Sequence, residues 1–379
     1  MEKSSAMNIN LKISALLLLY SSQCLAFELS GNYKANTELS SFRSQEQDDY
    51  RKLRLSSRIQ LSNSLDNKLN FNAEYDIALV IQNTNQDQTE SGSSFRLNHH
   101  KTVIETNDQN RKLIHNLDRL NLTYENPLMR LKLGRQAIWF GVSSLANPLY
   151  SYAPVGFNEI DTEHRYGIDG LRLTIPIGEL SELDLGIVFG TSDQSEFIRS
   201  KWNLWGHDFE LIASRFLQAS LFGASIQSSL AGIGLYSEGA QVKPKDENPY
   251  WRHNLGANYM LSNEWILRFE YHHNGAGSTN TDNQYNIASQ FPYKKGGVWF
   301  LRRHYISAGC SKTYGLWLVS SDYIVSIDDQ SQILNGLLSY SFSDESTANL
   351  SLTSPTFADS ESEFYDYPVT LGFSMYTYF

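Results

Sequence analysis

Along most of this chain, apolar and polar residues alternate one by one. Leu53, Leu55, Ser57, Ile59 and Leu61 share one parity, with Lys52, Arg54, Ser56, Arg58 and Gln60 on the other. The next segment sets Leu69, Phe71, Ala73, Tyr75, Ile77 and Leu79 against Asn70, Asn72, Glu74 and Asp76. A period of two sends successive side chains to opposite faces of a β-strand. The turn formers Asn63, Asp66 and Asn67 lie between the two runs and predict a hairpin. The same alternation returns over 171–177, 183–189, 255–261 and 265–271. No segment of comparable length carries a helical period.

Extended along the sequence, the pattern predicts eighteen strands: 27–38, 50–62, 67–80, 113–125, 128–137, 167–176, 181–190, 196–204, 207–215, 219–227, 229–238, 251–260, 263–273, 302–311, 314–325, 331–342, 345–354 and 366–379. Connections after even-numbered strands are tight, as at Asn126-Pro127, Trp205-Gly206, Leu261-Ser262 and Lys312-Thr313. Most after odd-numbered strands are longer, notably 81–112, 138–166 and 274–301. The pattern is weakest over 207–238, where a miscount of two short strands leaves sixteen as the alternative. Short turns at one end and long loops at the other imply an all-β fold: a single transmembrane up-and-down antiparallel barrel. Its turns and both termini are then periplasmic and its long loops extracellular.

Composition narrows the alternatives. After the first residues no stretch reaches the roughly 20 apolar residues of a spanning helix. The mean hydropathy of -0.38 is that of a soluble protein, which a barrel with a polar lumen and polar loops also shows. The 22 Tyr, 19 Phe and 7 Trp suit two interfacial girdles. A formal charge of -10 argues against nucleic acid as a partner.

At the front, Lys3 and Lys12 precede a short apolar run and then Cys24-Leu25-Ala26, the order of a secretory signal peptide. Residues 1–26 are expected to be that signal and 27–379 the barrel. Cys310 is then the sole cysteine, and no disulfide or cysteine metal site forms.

Candidate chemistry falls in two places. Opposite the apolar stripes stand Lys52, Arg54, Arg58, Arg130, Lys132, Arg172, Arg252 and Arg268, with the acids Glu74, Asp76, Asp184 and Glu270. Such residues line a water-filled lumen, where bases favour anions. The competing reading is that they brace the wall as cross-strand charge pairs, Arg58 with Glu74 for example. The second place is the loop 138–166, too apolar to lie solvated. Folded inward, it presents Trp139, Phe140, Tyr150, Tyr152, Phe157, Glu159, Asp161 and Glu163 as a constriction.

No nucleophile or metalloprotease motif appears. His99-His100 and His272-His273 are adjacent pairs whose rings point to opposite faces of a strand. Acids at Glu46, Asp48, Asp49, Asp328 and Asp329 suggest loop Ca²⁺ sites, although acid pairs in loops are more often only solvated. The chain is read as a non-enzyme without cofactor or metal.

Two resemblances sharpen this. The final strand, with Leu371, Phe373, Met375 and the terminal Phe379, resembles the last strand of bacterial outer-membrane barrels, which the barrel assembly machinery recognises. The run Leu131-Lys132-Leu133-Gly134-Arg135-Gln136, with Trp139, Gly141 and Asn147-Pro148-Leu149, is similar to a porin-like group that includes alginate-export barrels. The segment 270–277, followed by Arg303-His304-Tyr305, is similar to a second pattern of that group. The resemblance implies a channel of about eighteen strands with a basic interior. The expected function is passive passage or export of hydrophilic, anionic solutes such as sugars or polysaccharide through a Gram-negative-type outer membrane. Lipid and lipopolysaccharide are the expected surroundings. The alternatives are a non-conducting barrel acting as scaffold or adhesin, and an outer-membrane hydrolase.

Overall fold

The computed structural model describes residues 27–43, 49–83, 95–97, 101–105, 110–149, 152, 165–191, 193–280 and 287–379. The expected signal segment lies outside them. Nineteen strands form one sheet. The first half holds β1 (Glu28–Ser41), β2 (Tyr50–Ser64), β3 (Leu69–Gln82), β4 (Lys101–Glu105), β5 (Arg111–Asn126), β6 (Met129–Gln136), β7 (Ile168–Pro176), β8 (Glu182–Phe189), β9 (Gln194–Leu204) and β10 (His207–Phe216). The second holds β11 (Ala219–Leu230), β12 (Ile233–Pro244), β13 (Tyr250–Met260), β14 (Ile266–Asn274), β15 (His304–Tyr314), β16 (Trp317–Ser326), β17 (Gln332–Ser341), β18 (Ser346–Phe357) and β19 (Val369–Tyr378).

β4 pairs with residues 112–115 of β5 on the edge opposite β3, past the end of β6, so it is a short insert and not a further full strand of the ring. The other eighteen strands follow one another round the barrel, all antiparallel. The ring closes where β19 pairs with β1, from Asn32 opposite Tyr378 to Ser41 opposite Val369. Gly31 and Phe379 exchange backbone hydrogen bonds of 3.0 Å in both directions. The terminal phenylalanine thus seals the seam, its ring stacked on Tyr33 at 5.1 Å.

The stretch 207–238 contains β10, β11 and the first half of β12, so the count is eighteen and not sixteen. Two hairpins turn later than the alternation predicts. One reverses at Ala231-Gly232 instead of near 228, and one at Gly315-Leu316 instead of Lys312-Thr313. Ala231, Gly232 and Gly315 have positive φ. Tight hairpins need that left-handed backbone, and it overrides the polar residues upstream.

Outside, the ring carries an unbroken apolar band. Leu55, Ile59, Ile77, Leu133, Phe222, Leu255, Phe269, Leu350 and Phe373 are all exposed. In water such a belt is a large unfavourable surface; against hydrocarbon it is neutral, while closure satisfies every strand edge. Among the described residues no helix is long and apolar enough to cross a membrane.

Inside, part of the barrel is filled. The loop after β6 and the segment 287–303 pack on inward side chains of β8 to β13, among them Val188, Phe197, Ile212, Phe216, Leu221 and Val242. A smaller cluster joins Leu145, Phe300 and Phe364 to Tyr305, Ile324 and Ile333 of the wall.

Candidate functional site: the lumen and its inward loops

The loop after β6 crosses the barrel. It meets β12, β13 and β14, six to eight strands further round a ring of eighteen. Two wall carboxylates receive four consecutive backbone N–H groups of the loop. Glu238 accepts from Val142 (2.7 Å) and Ser143 (3.2 Å), and Glu270 from Ser144 (3.1 Å) and Leu145 (3.0 Å). Glu270 also accepts from Tyr236 and from Asn254 at 2.9 Å. Arg252 donates to the carbonyls of Pro148 (2.8 Å) and Gly296 (3.2 Å), tying two loops to one strand. Gly141, at φ 78°, lets the chain come this close; a Cβ there would lie 2.9 Å from Glu238 and nearer still to Asn147. Loop backbone has no partners of its own in a dry interior, so these carboxylates supply what a strand neighbour otherwise would.

A second clamp holds the loops of 287–303 and 358–368. Glu363 accepts from the N–H groups of Leu301 (2.9 Å) and Arg302 (3.2 Å) and from the Tyr305 hydroxyl. Burial pushes its carboxyl up to about 7. Burial and the neighbouring Glu363 raise the Tyr367 phenol as well. Arg302, fully buried, pairs with Asp329 at 2.8 Å. Burial opposes the charge of Asp329, yet the N–H of Glu363 and the Ser331 groups hold its carboxyl below the usual range. Asp328 accepts from the N–H groups of Arg303 and His304, 2.8 Å each. The oxygens of Asp328 and Asp329 are thus engaged by backbone N–H groups, Arg302, Ser331 and the His304 ring. Glu46 and Asp48 lie outside the described residues.

The charged lumen residues fall into two networks. Arg58 grips Asp76 (2.6 and 2.8 Å), Glu74 (3.1 Å) and Asp118 (3.3 Å). Asp118 also holds Arg96 (2.7 Å) and Arg119 (2.5 Å). Further round, Asp184 joins Arg172 (2.6 Å) to Arg199, which reaches Glu182 (3.0 Å) and Glu210 (3.1 Å). Arg268 pairs with Asp322 (3.1 Å), and Arg130 with Glu125 at the turn end. Lys52 stands opposite Glu38, and Arg54 opposite Asn36. Lys132, between Thr123 and Arg172, forms no ion pair among the described residues.

Glu74, Asp76, Arg58, Arg172 and Asp184 are thus brought together in pairs, as the bracing alternative has it. Arg252 and Glu270 differ from the expectation that they line the passage: they lie beneath the inward loops, 2% and 3% exposed. Phe140 and Tyr152 differ likewise. They are buried against Phe197, and burial pushes the Tyr152 phenol up to about 12. Trp139 lies 3.9 Å beneath the Arg165 guanidinium. Tyr150, Phe157, Glu159, Asp161 and Glu163 lie outside the described residues.

Sequence reasoning passed over Asp118, Arg119, Arg199, Glu238 and Glu363. For the first two a signal was present. Apolar positions on β5 run Leu113, His115, Leu117, then Leu120, Leu122, Tyr124, a step of three. The register shift opposite Glu74 and Tyr75 marks a bulge there, which lets the adjacent Asp118 and Arg119 both reach the inside. Arg135 of the Gly134-Arg135-Gln136 run fastens this point. It binds Asp169 through two 2.7 Å contacts and the Leu117 carbonyl at 2.7 Å.

The fold is shared with known barrels. The crystal structure of OccAB1 from Acinetobacter baumannii superposes with a TM-score of 0.64 at 10% identity, over 93% of this chain and 96% of that one. OccAB4 from the same organism gives 0.57 at 8%, over 95% and 99%. An engineered Rhodopseudomonas blastica porin gives 0.50 at 12%, over 93% and 100%. No protein-family model matches the sequence, and no curated protein does.

Proposed function

We propose that the chain is a porin-like channel of a Gram-negative-type outer membrane, with both termini periplasmic, passing hydrophilic solutes by diffusion. The observation that carries this reading is the loop drawn across the barrel and fixed by Glu238 and Glu270. In this reading the loop narrows the passage and leaves the far side of the ring for solute. On the far side, β17, β18, β19 and β1 turn Asn335, Thr353, Asn349, Ser374, Thr370 and Asn36 inward, groups that need water or a polar solute opposite them. Fold likeness to porins is consistent with the same role.

Anionic solutes, sugars among them, suit this passage. Lys52 and Arg54 of β2 flank the neutral wall, Lys132 lies further round on β6, and most acids are already taken by arginines. Planar-bilayer recordings of the refolded protein test the reading. Steady conductance with zero-current potentials on the anion side is expected. A barrel that inserts but does not conduct would favour the scaffold alternative, for which the dry clusters inside the ring are the specific support.

A further inference from the structure

Three histidines stand in one row on the outer wall. Register places His253 of β13 opposite His273 of β14, and His273 opposite His304 of β15. By strand parity they share the face of Trp251, Leu255 and Phe269, all exposed. The inward face at this level belongs to Arg252, Asn254 and His272. The row lies near the loop end, since β14 ends one residue beyond His273 and β15 begins at His304.

The two neighbouring pairs in the row are unequal. Asn274 N–H donates to Arg303 O at 2.7 Å, so 274 and 303 are a hydrogen-bonded pair. The next pair, His273 and His304, is therefore the narrow, non-hydrogen-bonded kind, with Cα atoms about 4.5 Å apart in an antiparallel ladder. Their ring centroids are 5.2 Å apart. His253 and His273 form the wider kind, because Gly275 N–H donates to Trp251 O. The His253 Nε2 is also engaged, 3.0 Å from Ser237 Oγ.

His304 is oriented from behind. Its Nδ1 lies 3.0 Å from Asp328 Oδ1, while the other Asp328 oxygen takes two backbone N–H groups. A carboxylate accepting Nδ1–H leaves the Nε2 lone pair outward, the arrangement of a metal-ligating histidine and its carboxylate support. Tyr271 stacks on the same ring. The ring nitrogens of His273 have no hydrogen-bond partner among the described residues.

We infer that His273 and His304 form a two-point chelate for a late first-row divalent ion such as Cu²⁺, Ni²⁺ or Zn²⁺, completed by water at the membrane rim. Among the described residues no three donors converge, so the site is a pair and not a triad; it requires only the His273 ring to turn about χ2 toward the His304 Nε2, with His304 staying held by Asp328. Neutral imidazoles prefer such ions over phosphate, and the adjoining Asp328 carboxylate adds to that preference.

The test uses the full folded barrel in detergent with Cu²⁺ as probe and glycine as a weak competitor. One equivalent giving an electron paramagnetic resonance spectrum of two imidazole nitrogens is expected, weakening in acid because a ligating imidazole nitrogen must be unprotonated. H273N and H304N should each weaken binding at least about tenfold, as a chelate falls to a single ligand, and H253N by less than about threefold. Retention of Cu²⁺ affinity in H273N and H304N overturns the proposal, as does dependence on added phospholipid phosphate instead of metal. A variant-free readout guards against misfolding: Zn²⁺ should protect His273 and His304 of the wild-type barrel from diethyl pyrocarbonate. Equal modification with and without Zn²⁺ counts against the site.

Discussion

Two arcs of the inner wall differ in how their polar groups are held. From β2 to β10 the wall is charged, and each prominent arginine is matched: Arg58 by Asp76 and Asp118, Arg172 and Arg199 by Asp184. From β17 to β1 it is largely neutral. Thr353 donates to Asn335 at 2.8 Å, Asn349 to Ser374 at 3.2 Å, and Ser40 shares a 2.9 Å hydrogen bond with Thr370. Removing one partner from a buried charge network leaves an uncompensated ion, whereas a neutral hydroxyl readily trades its partner for water. The first arc is thus a stiff frame and the second a wettable surface. The inward loops are fastened between these arcs, on β12, β13 and β14.

Breaking this contrast should give graded effects. Asp118→Ala leaves Arg58, Arg96 and Arg119 facing one another around an empty centre. A loss of about 3–5 kcal/mol in urea unfolding from lipid is expected, and an effect as small as that of a neutral substitution would refute the frame. Glu238→Ala with Glu270→Ala strands four loop N–H groups. Released from the far wall, the loop should let single-channel conductance rise roughly twofold or more; unchanged conductance removes the constriction. Lys132→Glu reverses a base that has no ion pair among the described residues and should move the zero-current potential toward cations, with folding unaffected. Thr353→Val, on the neutral arc, should cost no more than about 1 kcal/mol and leave selectivity alone.

The smallest effect concerns pH. Burial pushes the Glu363 carboxyl up to about 7 in the folded barrel, from its ordinary 4.5. The folded form binds the proton more tightly, so this contribution to loop packing is fully present below about pH 4.5 and is lost as pH rises through about 7. Proteolysis of 358–368 should therefore be slower at pH 5 than at pH 8, and Glu363→Gln should abolish the difference.

What the sequence by itself determined was the alternation, and with it the strands, their two faces and the closing aromatic strand. That information is local: side-chain period and turn chemistry act within a few residues. The lumen parity of Arg58, Glu74 and Asp184 could be read from it. Only the tertiary structure decided which strand-borne groups meet. The far-wall carboxylates Glu238 and Glu270 under the loop, the bulge that brings Asp118 beside Arg58, and His273 beside His304 all depend on register. The pair His272-His273 shows the difference plainly. Adjacent in sequence, the two rings point to opposite sides of the wall, and the partner of each lies on another strand. Pairing is set by packing and hydrogen bonding between segments distant along the chain, which no short-range pattern encodes.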